Sequence, residues 1–204
     1  MDLMLGFGAF TVSTASLNGS ESDGTNIATT GFPGLTSGWI SENVTLATAA
    51  TTAPDGATTA ASIVEDGTDN RHIVFYPHTG AAIGTFTASV YLKAFGRRYA
   101  VFQLADDGDN SASLYVDLQD GIITDTEVKN TGAISSSSIA AGANGFFKAT
   151  MSGTLGAGET GDRYLIIGLS NVSTYGAPLQ LDLPQYTGDG TSGVYAWRPK
   201  LVND

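Results

Sequence analysis

Thr85-Phe86-Thr87-Ala88-Ser89-Val90-Tyr91-Leu92-Lys93 alternates without a break. Phe86, Ala88, Val90 and Leu92 fall on one side, and Thr87, Ser89, Tyr91 and Lys93 on the other. Strand side chains point to opposite faces with a period of two, so the stretch predicts a strand with one buried and one wet face. Similar runs surround it. Arg98 to Ala105 carries Tyr99, Val101, Phe102 and Leu104, and Ser111 to Leu118 sets Ala112, Leu114, Val116 and Leu118 against Ser113, Tyr115 and Asp117. Asp120-Gly121 is a hairpin signal, with Ile122-Ile123-Thr124 on its far side. Tyr164 to Leu169 is nearly continuous in apolar residues, which predicts a strand covered on both faces.

Further strands are predicted at Val44 to Ala47, Ala57 to Val64, Arg71 to Tyr76, Phe146 to Ser152, Leu179 to Leu183 and Gly193 to Leu201. The alanines of Ala57 to Val64 also permit a short helix. Ala53-Pro54-Asp55-Gly56 is a turn in which Pro presets φ and Gly accepts a positive one. Thr131 to Gly145 reads as a Ser/Ala/Gly loop with room for one helical turn. Roughly ten to twelve short strands at 8–12-residue spacing imply an all-β, antiparallel jelly-roll sandwich over residues 31–204. No long repeat points to a propeller or β-helix.

Residues 1–30 differ in character. Leu3, Leu5, Phe7 and Phe10 make an apolar tip, and a Ser/Thr/Gly/Asn-rich run follows to Thr30. Two readings stand side by side: an extended N-terminal arm that anchors on a partner surface, or an edge strand over Gly8 to Ser16 followed by a loop. The apolar start lacks a basic leader and is far too short to span a bilayer.

The formal net charge is −11, from 9 Lys plus Arg against 20 Asp plus Glu. That balance disfavours nucleic acid and anionic membrane surfaces as partners. Charged residues make up only 14% of the chain, below the roughly 25% usual for soluble domains. Ser, Thr, Gly and Ala take their place, as in Thr-rich β structure. Cysteine is absent, which excludes disulfides, thiolate metal sites and cysteine nucleophiles. A protein outside the cell with neither cysteine nor a secretion leader fits release by lysis, as part of a particle.

Chemistry is sparsely signalled. His72 and His78 are the only histidines, and no Gly-x-Ser-x-Gly elbow singles out a serine nucleophile. His72 is expected either to face solvent or to hydrogen-bond within the core. Glu42, Glu65, Glu127 and Glu159 are scattered, and sequence spacing cannot set two of them across a cleft as glycoside hydrolysis requires. Lys93, Arg97, Arg98 and Tyr99 are the nearest approach to a basic-aromatic catalytic face, and are read as a solubilising strand end. No enzymatic activity or cofactor is therefore expected. Asp106, Asp107 and Asp109 concentrate oxygen ligands that suit calcium, without EF-hand spacing. Tyr91 and Tyr115 lie on the polar parity of their strands and would form a stacking platform for a glycan if those strands were neighbours.

Five segments, in order, carry a resemblance. They are Trp39-Ile40-Ser41, the turn Ala53 to Ala60, the strand Thr85 to Ala94, Gly145-Phe146-Phe147-Lys148, and Val194-Tyr195-Ala196-Trp197 running into Arg198-Pro199-Lys200-Leu201. From Trp39 to Trp197 the chain resembles the carbohydrate-binding-module-like jelly-roll domains of tailed-bacteriophage virion proteins. Arg198-Pro199-Lys200 stands where those domains carry a small polar stretch, and no binding residue is carried over. The resemblance implies a structural protein at the virion surface, either a capsid decoration (cement) protein or a short tail fibre. Its implied partners are a major capsid or tail protein, further copies of itself (a trimer would suit such an appendage), and a surface glycan.

Overall fold

The computed structural model describes residues 35, 38–78, 84–106, 108, 110–156, 163–176, 179–180 and 183–203. The apolar tip Leu3, Leu5, Phe7 and Phe10 lies outside these residues, as do Asp107 and Asp109. Sixteen strands follow one another among them. The first half holds β1 (Ile40–Glu42), β2 (Val44–Thr52), β3 (Thr58–Glu65), β4 (Asp69–Asn70), β5 (Ile73–His78), β6 (Gly84–Phe95), β7 (Tyr99–Asp106) and β8 (Ser111–Asp117). Then come β9 (Ile122–Lys129), β10 (Ala133–Ala141), β11 (Phe147–Leu155), β12 (Arg163–Ser170), β13 (Leu179–Gln180), β14 (Leu183–Pro184), β15 (Tyr186–Thr187) and β16 (Gly193–Asn203). A single 3-10 turn, Ala143–Gly145, joins β10 to β11.

Twelve of the strands form two antiparallel six-stranded sheets, and the other four pair as β13-β14 and β15-β4. Sheet I runs β1-β5-β12-β7-β8-β9, and sheet II runs β10-β11-β6-β16-β3-β2. Between them lies one hydrophobic core. Sheet II contributes Ala61, Ile63, Phe86, Ala88, Val90, Leu92, Ala149 and Met151, and sheet I contributes Phe102, Leu104, Leu114, Val116, Leu165 and Ile167. Phe86, Ala88, Val90 and Leu92, and Leu114 and Val116, are the apolar parities read from the sequence, and fully burying each large side chain stabilises the fold by about 1.5–3 kcal/mol. The all-β antiparallel sandwich is therefore the architecture of the protein. The β8–β9 hairpin turns at Gly121, whose φ of +66° is left-handed and whose amide donates to the Asp117 carbonyl at 2.9 Å.

Ala57 to Val64 is strand β3, as expected, and does not take the helical alternative. One expectation is corrected. Thr131 to Gly145 contains strand β10, paired along β11 from Ala133↔Thr154 to Ala141↔Phe147. Ile134 and Ile139 are five residues apart and so of opposite parity. A register shift between Ile134 and Ser136 brings both against the core. The Ser-rich run has little strand propensity of its own, and the open edge of β11 supplies the hydrogen bonds that make it a strand.

Candidate functional site

The two outer faces of the sandwich differ. Over sheet I the chain supplies its own cover. Ile73, Val101, Tyr115, Ile166 and Leu183 form a second buried cluster, joined by Phe75, Tyr164 and Tyr175. The Tyr175 amide donates to Asp125 at 2.9 Å, and the Thr124 hydroxyl donates to the Ser173 carbonyl, so the segment after β12 is tied down over β8 and β9. Tyr115 is 1% exposed beneath it. β8 sits in sheet I and β6 in sheet II, so Tyr91 and Tyr115 stand on opposite outer faces. The paired tyrosine platform expected from the sequence does not form, because strand parity says which residues are polar-facing but not which strands are neighbours.

The outer face of sheet II is built differently. On β6 it presents Tyr91, Lys93 and Phe95. Register places Lys148 and Trp197 opposite Tyr91, and Tyr195 opposite Lys93. The Tyr91 and Trp197 rings are 5.2 Å apart at 60°, and those of Phe95 and Tyr195 are 4.8 Å apart at 31°. Trp197 is buried, packing with Ala53, Ala60 and Phe146, while Tyr91 and Tyr195 are half-buried against it. Phe95 is 39% exposed.

Cations stand over these rings. The Lys93 ammonium lies 5.7 Å from the Phe146 centroid and 6.0 Å from that of Tyr195. Lys148 lies 5.7 Å from Tyr91, and the Arg198 guanidinium 5.6 Å from Trp197. Lys93 also donates to the Asn144 carbonyl at 2.9 Å, and the Asn144 amide donates to the Ala53 carbonyl at 2.7 Å. The β10–β11 turn and the β2–β3 turn are thereby joined at the rim of the aromatic cluster.

Arg198 owes its place to a bulge. Trp197 pairs with Tyr91 and Lys200 with Ser89, so β16 advances three residues where β6 advances two. Arg198 takes φ +51°, a left-handed conformation uncommon for a residue with a side chain, and Pro199 follows it buried. A regular strand would turn Arg198 toward the core. The bulge leaves it exposed over Trp197, and the missing N–H of Pro199 falls where the ladder is already interrupted. The sequence already held this signal, since a proline inside an apparent strand marks an edge or a bulge.

The remaining candidates serve the fold. Glu65 is 2% exposed at the end of β3. It accepts from Arg97 Nε at 3.0 Å and from Arg97 Nη2, from the Tyr186 hydroxyl at 2.7 Å and from the Asp189 amide at 2.9 Å. Burial, and then the bond to Glu65, push the Tyr186 phenol far above the usual tyrosine range. Hydrogen bonds from Ser192 and Thr191 hold the Asp189 carboxyl well below the usual carboxylate range. His72 is fully buried, the second of its two expected environments. Its Nδ1 faces the Asn43 carbonyl at 2.8 Å and its Nε2 the Tyr186 carbonyl at 3.1 Å.

Arg98 bridges Asp117 and Asp120 at 2.6 and 2.7 Å. Lys93, Arg97, Arg98 and Tyr99 are thus not one face: Lys93 joins the aromatic cluster, while Arg97 and Arg98 brace separate carboxylates. Glu42 pairs with Arg71 at 2.6 Å. In the proposed calcium loop, Asp106 is 7% exposed and closes its own turn. It accepts from the Gly108 amide at 2.9 Å and from the Asn110 amide and side chain at 3.0 Å. Among the described residues, no group of three His, Cys, Asp or Glu side chains is placed to hold a metal ion.

The chain was compared with known proteins. No protein-family model matches it, and no relative was found among curated proteins.

Proposed function

We propose that this chain is a non-enzymatic structural and interaction protein of a phage particle surface, a capsid decoration protein or short fibre that engages an outside partner through the outer face of sheet II. One observation carries the interaction reading. Among the described residues, sheet I is covered by the chain's own segment, whereas sheet II presents half-buried Tyr91 and Tyr195 beneath Lys148 and Lys93, with exposed Phe95 beside them. Exposed aromatics grouped with charge are what recognition surfaces are made of. The non-enzymatic reading is supported by the buried polar groups, since Glu65, His72, Asp106 and Asp117 are each hydrogen-bonded into the framework. The particle setting is supported by the five-segment resemblance alone.

Producing the full chain and a form lacking residues 1–30 alongside the particle tests attachment. The full chain is expected to co-sediment with particles, and the truncated form to remain folded and unattached. Attachment of the truncated form would remove the arm from the proposal, and failure of the full chain to co-sediment would sink the particle role.

A further inference from the structure

We propose that the outer face of sheet II, at Tyr91, Lys93, Tyr195 and Arg198, binds a carboxylate-bearing polysaccharide. The proposal rests on the reading of that face as the docking surface and adds the chemistry of what docks. The argument begins with charge. The chain carries nine Lys plus Arg, and four of them, Lys93, Lys148, Arg198 and Lys200, stand on this one face. Glu65 is the sole acidic residue in the six strands of sheet II, and it lies on the parity of Ala61 and Ile63, toward the core. A chain of net charge −11 thus places cations, and among the described residues of these six strands no carboxylate, on one outer sheet face. Among the described residues, neither Lys93 nor Arg198 forms an ion pair.

The groups match the two parts of such a ligand. Half-buried rings of Tyr91 and Tyr195 and the exposed ring of Phe95 offer flat apolar surface to the C–H faces of sugars. The Arg198 guanidinium presents forked donors that fit a carboxylate, and Lys93 supplies a compact ammonium. One of the three Lys93 donors is used by the Asn144 carbonyl. Half-buried Thr150 and Ser152 continue the face with hydroxyls suited to sugar hydroxyls, that of Ser152 already bonded to Thr87 at 2.9 Å.

The left-handed backbone of Arg198 belongs to the β16 bulge and is what carries its guanidinium outward over Trp197.

The overall negative charge does not oppose the site. At physiological salt the Debye length is about 8 Å, so a ligand on this face senses the local cations before the carboxylates elsewhere on the molecule. Duplex DNA, with one charge about every 1.7 Å, would run beyond the cationic face onto acidic surface. A polyuronate places at most one carboxylate on each sugar and alternates charge with apolar ring, as the face does.

The test is calorimetric titration of the full chain with oligouronates, with the same oligomers after carboxyl reduction, and with oligoglutamate. Oligouronates are expected to bind, and carboxyl reduction to weaken them tenfold or more. Raising salt should weaken binding too. Arg198→Gly and Lys93→Met should each lower affinity about tenfold, and Tyr91→Ala and Tyr195→Ala should lower it with or without carboxyls. Arg198→Gly should show its tenfold loss with no fall in melting temperature, which separates recognition from misfolding. Equal affinity for reduced and unreduced oligomers, still lost in Tyr91→Ala, would overturn the acidic ligand and leave the docking face standing. Oligoglutamate binding as tightly as oligouronate would replace the glycan with an acidic protein. Oligouronate binding indifferent to all four substitutions would overturn the docking face itself.

Discussion

Tyr91 and Trp197 lie directly opposite each other in the β6–β16 pairing, with ring centroids 5.2 Å apart. Trp197 also donates to the Thr59 hydroxyl at 3.2 Å and packs on Ala53 and Phe146. One indole therefore joins the central strand to both turns that rim the candidate face. Trp197→Ala is expected to cost about 3–5 kcal/mol, the range for deleting a buried aromatic. Trp197→Phe should retain most of this, losing about 1 kcal/mol with the hydrogen bond. Equilibrium unfolding in denaturant measures both, and a loss below about 1 kcal/mol for the alanine variant would show that the outer cluster does not hold the face together.

The Tyr186 phenol donates to buried Glu65, and its acidity is suppressed first by burial and then by that bond. A phenol whose folded pKa lies above the unfolded value of about 10 contributes stability that is present below pH 10 and is lost as pH rises beyond it. Spectrophotometric titration should find Tyr186 among the tyrosines that ionise only with alkaline unfolding. Tyr186→Phe should reduce that late step by one tyrosine and cost about 1–3 kcal/mol at neutral pH. If all tyrosines titrate together in the folded protein, the buried pair is not as described.

At the other end of the pH range stands Asp117. Burial opposes its charge, but Arg98 and the amides of Gln119 and Asp120 outweigh burial and hold its carboxyl below the ordinary range. A lowered carboxylate stabilises above its unfolded pKa of about 3.9, and that contribution is lost as pH falls further toward the folded value. Asp117→Asn is expected to be less stable at pH 7 by about 1–3 kcal/mol. It should also show a shallower loss of stability below about pH 4. Parallel acid-unfolding curves for the two proteins would contradict this.

Gly153 pairs with Ile134 and Phe86 between β10 and β6. A Cβ built there would stand 1.9 Å from the Ala133 carbonyl oxygen, a backbone atom with no rotamer to yield. Gly153→Ala should destabilise by about 1–3 kcal/mol or more and loosen β10 first. Hydrogen exchange should show faster exchange along Ala133–Ala141 than in β6. Unchanged exchange would mean that β10 does not depend on this close approach.

Much of the sandwich was legible because one-sided burial writes itself into sequence as alternation. Phe86, Ala88, Val90 and Leu92, and Ala112, Leu114 and Val116, are core on both readings. β10 was illegible for the converse reason: its serines face outward, its two isoleucines break parity, and its pairing partner dictates its conformation. The candidate face was half legible. Tyr91 and Lys93 were marked by parity, but Tyr195, Trp197 and Phe146 come from distant strands, and Arg198 reaches the face through a bulge.

The sequence by itself determined the fold class, the inward face of each regular strand and the hairpin at Asp120-Gly121, because these follow from side-chain period and local turn geometry. Only the tertiary structure decided that Tyr91 and Tyr115 part company, that Glu65, Arg97, Tyr186 and Asp189 meet, and that the segment after β12 covers the outer face of sheet I. Those outcomes depend on which strands become neighbours and on where the chain crosses back over a sheet. Such long-range choices are fixed by the packing of the whole core, and no local window of residues contains them.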